Sequence, residues 1–235
     1  YSAGELNKMA LLLQIAAIDT TAVALPAYDE LLLREELGRF PAWFVDALLG
    51  QSLAGDEEEL LAATFDKLVA SALEQPRVLV HRDFHSRNLM PQDDGSLGVI
   101  DFQDAVLGPV TYDLVSLLRD CYIQWPPARV QQWVGAYRGL LQARGLPGAA
   151  DPERFQRWFD LMGLQRHIKV LGTFARLYLR DGKPAYLDDL PLVIRYVQEI
   201  SGKYAGEDPV FAEFQRWFDG RLSPEVARQA WSVGA

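Results

Sequence analysis

Between positions 78 and 102 the chain reads VLVHRDFHSRNLMPQDDGSLGVIDF, two short β-type runs separated by a loop crowded with polar residues. Val78-Leu79-Val80 is apolar and rich in β-branched valine, LGVI at 97–100 is a second apolar run ending in two β-branched residues, and Asp93-Asp94-Gly95 between them has hairpin-turn chemistry. The expected layout is strand–loop–strand–turn–strand. It would bring Asp83, Asn88 and Asp101 to one end of a small sheet, although Asn88 and Asp101 lie 13 positions apart.

The remainder reads as helix. Ser2-Ala3-Gly4-Glu5 has a capping-box pattern opening a helix to about Ile18, with Leu6, Met9, Leu13 and Ala17 as its apolar stripe. Further helices are expected over 29–40, from Pro41 to Leu49, and over 56–73. Gly108-Pro109 should break the chain, with Thr111 capping a helix to about Ile123. Helices over 128–143, 152–180 (with a break near Gly163), 188–204 and 208–218 complete the pattern.

The loop holds His-x-Asp-x-x-x-x-Asn (His81, Asp83, Asn88), and the second β run ends in Asp101-Phe102. Phosphoryl transfer to a hydroxyl needs a carboxylate to orient and deprotonate that hydroxyl, and oxygen ligands to hold magnesium on the nucleotide phosphates. Asp83 suits the first role; the Asn88 amide oxygen and the Asp101 carboxylate suit the second. The plainer alternative makes Asp83 and Asn88 turn formers and Asp101 a strand-end cap, but it must explain all three at kinase spacing. The fold expected is α+β, mostly α: the C-terminal lobe of a protein-kinase-like fold, with a small β-hairpin insert carrying the catalytic loop.

Kinases also cover ATP with a glycine-rich loop and grip its phosphates with a strand lysine. No Gly-x-Gly-x-x-Gly occurs, and none of the five lysines lies in such a strand. Residues 1–235 are therefore expected to be the catalytic and substrate-binding lobe, with the N-terminal nucleotide lobe absent from this chain. A net charge of −9 argues against a nucleic-acid groove. The longest apolar run, 9–13, is far short of a membrane span, and the lone Cys121 fits a reducing cytoplasm. Nothing in the sequence fixes an oligomeric state.

At 81–88 and Ile100-Asp101-Phe102 the chain resembles the aminoglycoside phosphotransferase and choline kinase family, whose members have a kinase-like fold. HRDFHSRNLM, VIDFQDAVLGPVTYDLVSLLRD, MGLQRHIKVLGTFARLYLRDGKPAYL and LLLREELGRFPAWF are similar to one branch of it, the bacterial anomeric kinases of N-acetylmuramate and N-acetylglucosamine in peptidoglycan recycling. The resemblance implies ATP as co-substrate, Mg2+ as cofactor and a small amino sugar as acceptor. Other acceptors of the family (an aminoglycoside, choline, homoserine) stay open, as does a lobe that binds without transferring phosphate. It also implies that Asp113 buttresses the catalytic loop; by its position alone Asp113 is an acidic first-turn residue.

The remaining candidates each carry a plainer reading. His81 is expected to bridge loop backbone groups rather than react, and His85 either approaches the γ-phosphate or is an ordinary surface or core histidine. Gln103 and Asp104 reach the acceptor or are simple loop polarity; Arg82 and Arg87 read as solvated loop charges. Leu164, Ile168, Leu171, Ala175 and Tyr178 recur at helical spacing as core. Arg166, Lys169, Arg176 and Arg180 form a basic stripe, by default a solvated face and alternatively an attractor for an anionic substrate or phosphate. Trp43, Phe44 and Trp125 are candidates to stack on a sugar, against the default of packing.

Overall fold

The computed structural model of the protein describes residues 3–232, and side chains from Lys8 onward. The chain divides into two units, one comprising the residues up to Asp29 with Ser71–Met162, the other Glu30–Ala70 with the chain from Gly163. It is mostly helical with small antiparallel sheets. Two helices, α3 (Gly55–Leu73) and α6 (Pro152–Asp181), contribute residues to both units.

In the first unit the strands form two separate two-stranded sheets rather than one. β1 (Arg77–Val80) pairs antiparallel with β4 (Val106–Pro109), Val78 opposite Gly108 and Val80 opposite Val106. β2 (Leu89–Pro91) pairs antiparallel with β3 (Leu97–Val99), Leu89 opposite Val99. The hairpin turn forms as expected: Gly95 takes φ 81°, and Asp94 Oδ1 accepts the Ser96 N–H at 2.9 Å.

β4 replaces the break expected at Gly108-Pro109. Pro109 sits at the end of the ladder, where a missing N–H costs little. A Cβ at Gly108 would come within 3.1 Å of Tyr28 Cβ and 3.3 Å of Val80 Cγ2, so any larger residue would press on both neighbours. Tyr28 is there because its segment runs beside β4. The Leu107 N–H donates to Pro26 O at 2.9 Å, and the Tyr28 N–H donates to Leu107 O at 2.8 Å. The buried Tyr28 ring meets Tyr112 edge to face, 5.1 Å between centroids.

Helix α1 (Ala3–Ala16) buries Met9, Leu12, Leu13 and Ala16, while Ala17, expected in its stripe, is exposed beyond its end. Ser2 of the expected capping box lies outside the described residues, as do the side chains of Glu5 and Leu6. Helix α4 (Tyr112–Leu118) is buried along its whole length and stops well before Ile123, because Arg119 leaves helical geometry at φ −122°, ψ 44°. The Thr111 hydroxyl does not cap it; it donates to Gln75 Oε1 at 2.8 Å. Helix α5 (Pro127–Ala143) opens on a proline at its first turn, where the missing N–H is harmless.

Helix α6 runs through Gly163 unbroken. An interior glycine costs about 1 kcal/mol relative to alanine, a loss smaller than the gain from burying Met162 and Leu164 on either side.

In the second unit α2 (Glu30–Arg39) continues directly into a π-helical stretch, Phe40–Leu48, where a separate helix from Pro41 was expected. Pro41 has no N–H for the α-helical ladder, and bonding widens to five residues, as in Leu49 N–H to Phe44 O at 3.1 Å. Phe40 and Phe44 are fully buried and stacked at 5.6 Å, and Phe40 stacks on Phe218 at 6.5 Å. Against this helix α6 packs backbone to backbone: a Cβ on Gly172 would overlap the main chain of Arg39 and Phe40. Helix α7 (Leu190–Tyr204) buries Leu190, Val193, Val197, Ile200 and Tyr204 at helical spacing. Asp208 caps α8 (Pro209–Trp217), its Oδ1 accepting the Val210 N–H at 3.0 Å. A π-type turn at Phe218–Leu222 and α9 (Ser223–Ala227) follow.

Candidate active site

β1 delivers the chain into the loop at His81, and Arg82 then turns left-handed at φ 74°. Such a conformation costs a residue with a Cβ roughly 1–3 kcal/mol unless its surroundings hold it. Asp113, in the first turn of α4 and 3% exposed, does the holding. Its Oδ2 accepts the His81 N–H at 2.6 Å and its Oδ1 the Arg82 N–H at 3.0 Å. The carboxylate thus faces the loop, which the helix-dipole reading of this position does not capture. Nearby, burial pushes the Tyr137 phenol well above its usual range, and the Asp113 charge pushes it further.

His81 is buried and bridges the loop to the end of β3. The Asp83 N–H points at His81 Nδ1 (3.3 Å), so Nδ1 accepts; Nε2 carries the hydrogen and donates to Ile100 O at 3.0 Å. Asn88 Nδ2 donates to Asp83 O at 3.0 Å. An amide oxygen facing that carbonyl would be repelled, so the contact sets which end of the amide points outward: Oδ1. The Ile100 N–H donates to Asn88 O at 3.2 Å, continuing the β2–β3 ladder. Asp101, the next residue, is thereby brought beside Asn88 across 13 sequence positions. It is exposed, sits at φ 70°, and its Oδ1 accepts from Gln103 Nε2 at 2.8 Å.

Asp83, Asn88 and Asp101 therefore gather at one loop and one hairpin end, joined through His81 and Ile100. Asp83 is half-buried. One neutral and one anionic oxygen, from Asn88 and Asp101, suit a hard cation. Among the described residues no three His, Cys, Asp or Glu side chains converge as a metal cage.

The outlying candidates separate. His85 is half-buried and meets Tyr122 edge to face at 5.7 Å, with the Arg87 guanidinium 3.5 Å over the same ring, so Arg87 is not simply solvated. Gln103 and Asp104 are exposed in the turn after Asp101. Arg166, Lys169 and Arg176 belong to the other unit. Arg166 is buried and Lys169 Nζ lies 3.0 Å from Oε1 of the fully buried Glu36, so the stripe is not a solvated face at these two positions. Arg176 is half-buried. Phe44 is core. Trp125 is half-buried and meets Trp133 edge to face at 5.1 Å.

One polar group went unnoticed in the sequence. Asp120 is 2% exposed and accepts from the Ser86 hydroxyl at 3.0 Å and the Tyr122 N–H at 3.3 Å. An isolated acid after a helix carries no local signal of such a partner.

Residues 8–152 match the model of the phosphotransferase enzyme family (APH). The chain belongs to that family. It is 49% identical over 179 residues to the N-acetylmuramate/N-acetylglucosamine kinase of Pseudomonas putida, covering 76% of this chain and 52% of that protein. The protein of the same name from Neisseria meningitidis serogroup B is 46% identical over 188 residues, covering 80% and 56%. That of Pseudomonas aeruginosa is 47% identical over 199 residues, covering 84% and 58%. This phosphotransferase-family chain thus spans a little over half the length of these curated relatives. In structure it is similar to an ADP-bound aminoglycoside phosphotransferase, APH(2'')-Ib, with TM-score 0.51 and 16% identity over 85% of this chain and 66% of that one. That likeness shows a shared fold.

Proposed function

We propose that the protein is an ATP-dependent sugar kinase that phosphorylates the anomeric hydroxyl of N-acetylmuramate and N-acetylglucosamine, and that residues 1–235 are its kinase-like catalytic and substrate-binding lobe. The observation that carries this reading is 46–49% identity, over at least 76% of the chain, to proteins named for that activity. The family membership and the converging Asp83, Asn88 and Asp101 support the phosphotransfer part independently of the acceptor.

In this reading Asp83 orients the acceptor hydroxyl and takes its proton as the bond to the γ-phosphorus forms; the leaving group is ADP. Asn88 Oδ1 and the Asp101 carboxylate hold Mg2+, which when bound neutralises charge on the nucleotide phosphates. His81 and Asp113 position the loop without touching a reactant. Because a loose phosphoryl-transfer transition state asks mainly for alignment, a rigid loop is the protein's chief contribution. His85, Gln103 and Asp104 are candidates for phosphate or acceptor contacts. Arg166, Lys169 and Arg176 are weaker candidates, Lys169 already being paired with Glu36.

The test offers ATP and magnesium with N-acetylmuramate, N-acetylglucosamine, choline and kanamycin, to this chain and to the same chain within its full reading frame. A sugar 1-phosphate, identified by phosphorus NMR, is the expected product. Transfer to choline or kanamycin alone would keep the chemistry and replace the acceptor, and no transfer by either protein would overturn the reading.

A further inference from the structure

We propose that a small cavity beside the catalytic loop receives the acetamido group of the acceptor sugar, an inference that rests on the function proposed above. The cavity measures about 30 Å³; in its lining Leu117, Ile123, Trp125 and Trp133 are apolar walls, and Ser86, Asp120 and Lys8 are polar ones. At roughly 10–15 Å³ per water-sized group it takes two or three heavy atoms. That is the size of an acetyl cap and far too small for a sugar ring.

The wall chemistry matches both ends of an acetamide. Trp125 and Trp133, edge to face at 5.1 Å, and the two aliphatic side chains give a methyl group apolar and aromatic surface to pack on. Asp120 is 2% exposed, and its orientation is fixed by the Ser86 hydroxyl at 3.0 Å and the Tyr122 N–H at 3.3 Å. A buried carboxylate is a strong acceptor for an amide N–H, and the Ser86 hydroxyl holds it in place for that role. A sugar with a hydroxyl in place of the acetamide leaves the apolar walls uncovered.

The location fits the chemistry of the substrate class. In a 2-acetamido sugar the nitrogen sits on the carbon next to the anomeric one. A pocket for it must therefore lie close to the residue that orients the anomeric hydroxyl. Ser86 stands three residues after Asp83 on the same loop, and Asp120 is anchored to that loop through Ser86. A kinase for a hydroxyl remote from the acetamide would have no use for a pocket here.

Saturation-transfer NMR on this chain with N-acetylglucosamine and with glucose tests the assignment. The acetyl methyl is expected to carry the strongest saturation when aromatic protons are irradiated. Ile123→Trp fills the mouth from a position already 37% exposed, so the fold should tolerate it. It is expected to cut the N-acetylglucosamine-over-glucose preference in Kd by about 10-fold or more. A methyl no more saturated than the ring protons, or a preference unchanged in Ile123→Trp, would overturn the cavity assignment and leave the acceptor reading standing. The same experiment is run on the chain within its full reading frame, and no saturation of either sugar by either protein would remove the acceptor reading itself, and this inference with it.

Discussion

The buried carboxylate of Asp113 accepts the main-chain N–H of His81 at 2.6 Å, and its second oxygen accepts the N–H of Arg82 at 3.0 Å. One side chain thus satisfies two amides at the point where the loop turns left-handed. Asp113→Ala would leave both amides without this acceptor in a site where water is scarce. The expected loss is roughly 2–4 kcal/mol of stability, read from urea unfolding midpoints. Asp113→Asn keeps one acceptor but turns an NH₂ toward one of the two donors, so it should lose a substantial part of that. An unchanged midpoint in Asp113→Ala would mean that the loop is held from elsewhere.

Asp83 and Asp101 can be tested without damaging the fold. Asn is nearly isosteric with Asp and tolerates the left-handed φ of 70° at Asp101. Asp101→Asn and Asp83→Asn should therefore unfold within about 0.5 kcal/mol of the parent. In the active protein Asp83→Asn should slow transfer by about 10²–10⁴, the usual loss for a positioned base. Asp101→Asn should instead raise the magnesium concentration needed for half-maximal rate. Equal magnesium dependence in the two variants would undo the division of roles between them.

At Gly172 packing should defeat helix propensity. Propensity alone favours Ala over Gly inside a helix by about 1 kcal/mol. A Cβ there would overlap the backbone of Arg39 and Phe40, which cannot move as a side chain can. Gly172→Ala should destabilise by more than about 2 kcal/mol. Gly139→Ala on α5, where a Cβ meets nothing within 4 Å, should be neutral or stabilising. If both variants moved the same way, the close approach at Gly172 would be wrong.

These sites differ in how far the sequence announced them. The His81–Asn88 spacing and the Asp94-Gly95 turn are local patterns, and the loop and hairpin form where those patterns lie. Asp113 needed the family resemblance, because its partners are 31 and 32 positions away and its local setting reads as an ordinary helix start. β4 was hidden because Gly108 and Pro109 look like breakers until Tyr28 and the end of the ladder are in place. Lys169 looked solvated because nothing near it in sequence points to Glu36. What failed to show was pairing across long stretches of chain, which depends on tertiary packing rather than on local propensity.

Glu57 supplies a pH dependence whose sign can be worked out. Its Oε2 accepts the Ala54 N–H at 2.8 Å at the start of α3, and its Oε1 accepts from Trp217 Nε1 at 2.8 Å and lies 3.4 Å from Arg221 Nε. The Ala54 N–H is the main cause holding the carboxyl below its usual 4.5; partial burial opposes it, and Trp217 and Arg221 add to the lowering. A carboxyl lowered by folding stabilises the folded protein above its unfolded value and ceases to do so as pH falls through the folded one. Glu57→Gln should accordingly lower the unfolding midpoint at neutral pH, by roughly 1 kcal/mol on the scale of a lost helix cap. The gap to the parent should narrow below pH 4.5 and close once Glu57 is protonated in both states. A gap of constant size down to acid pH would show that Glu57 acts through shape and hydrogen bonding alone, with no contribution from its charge.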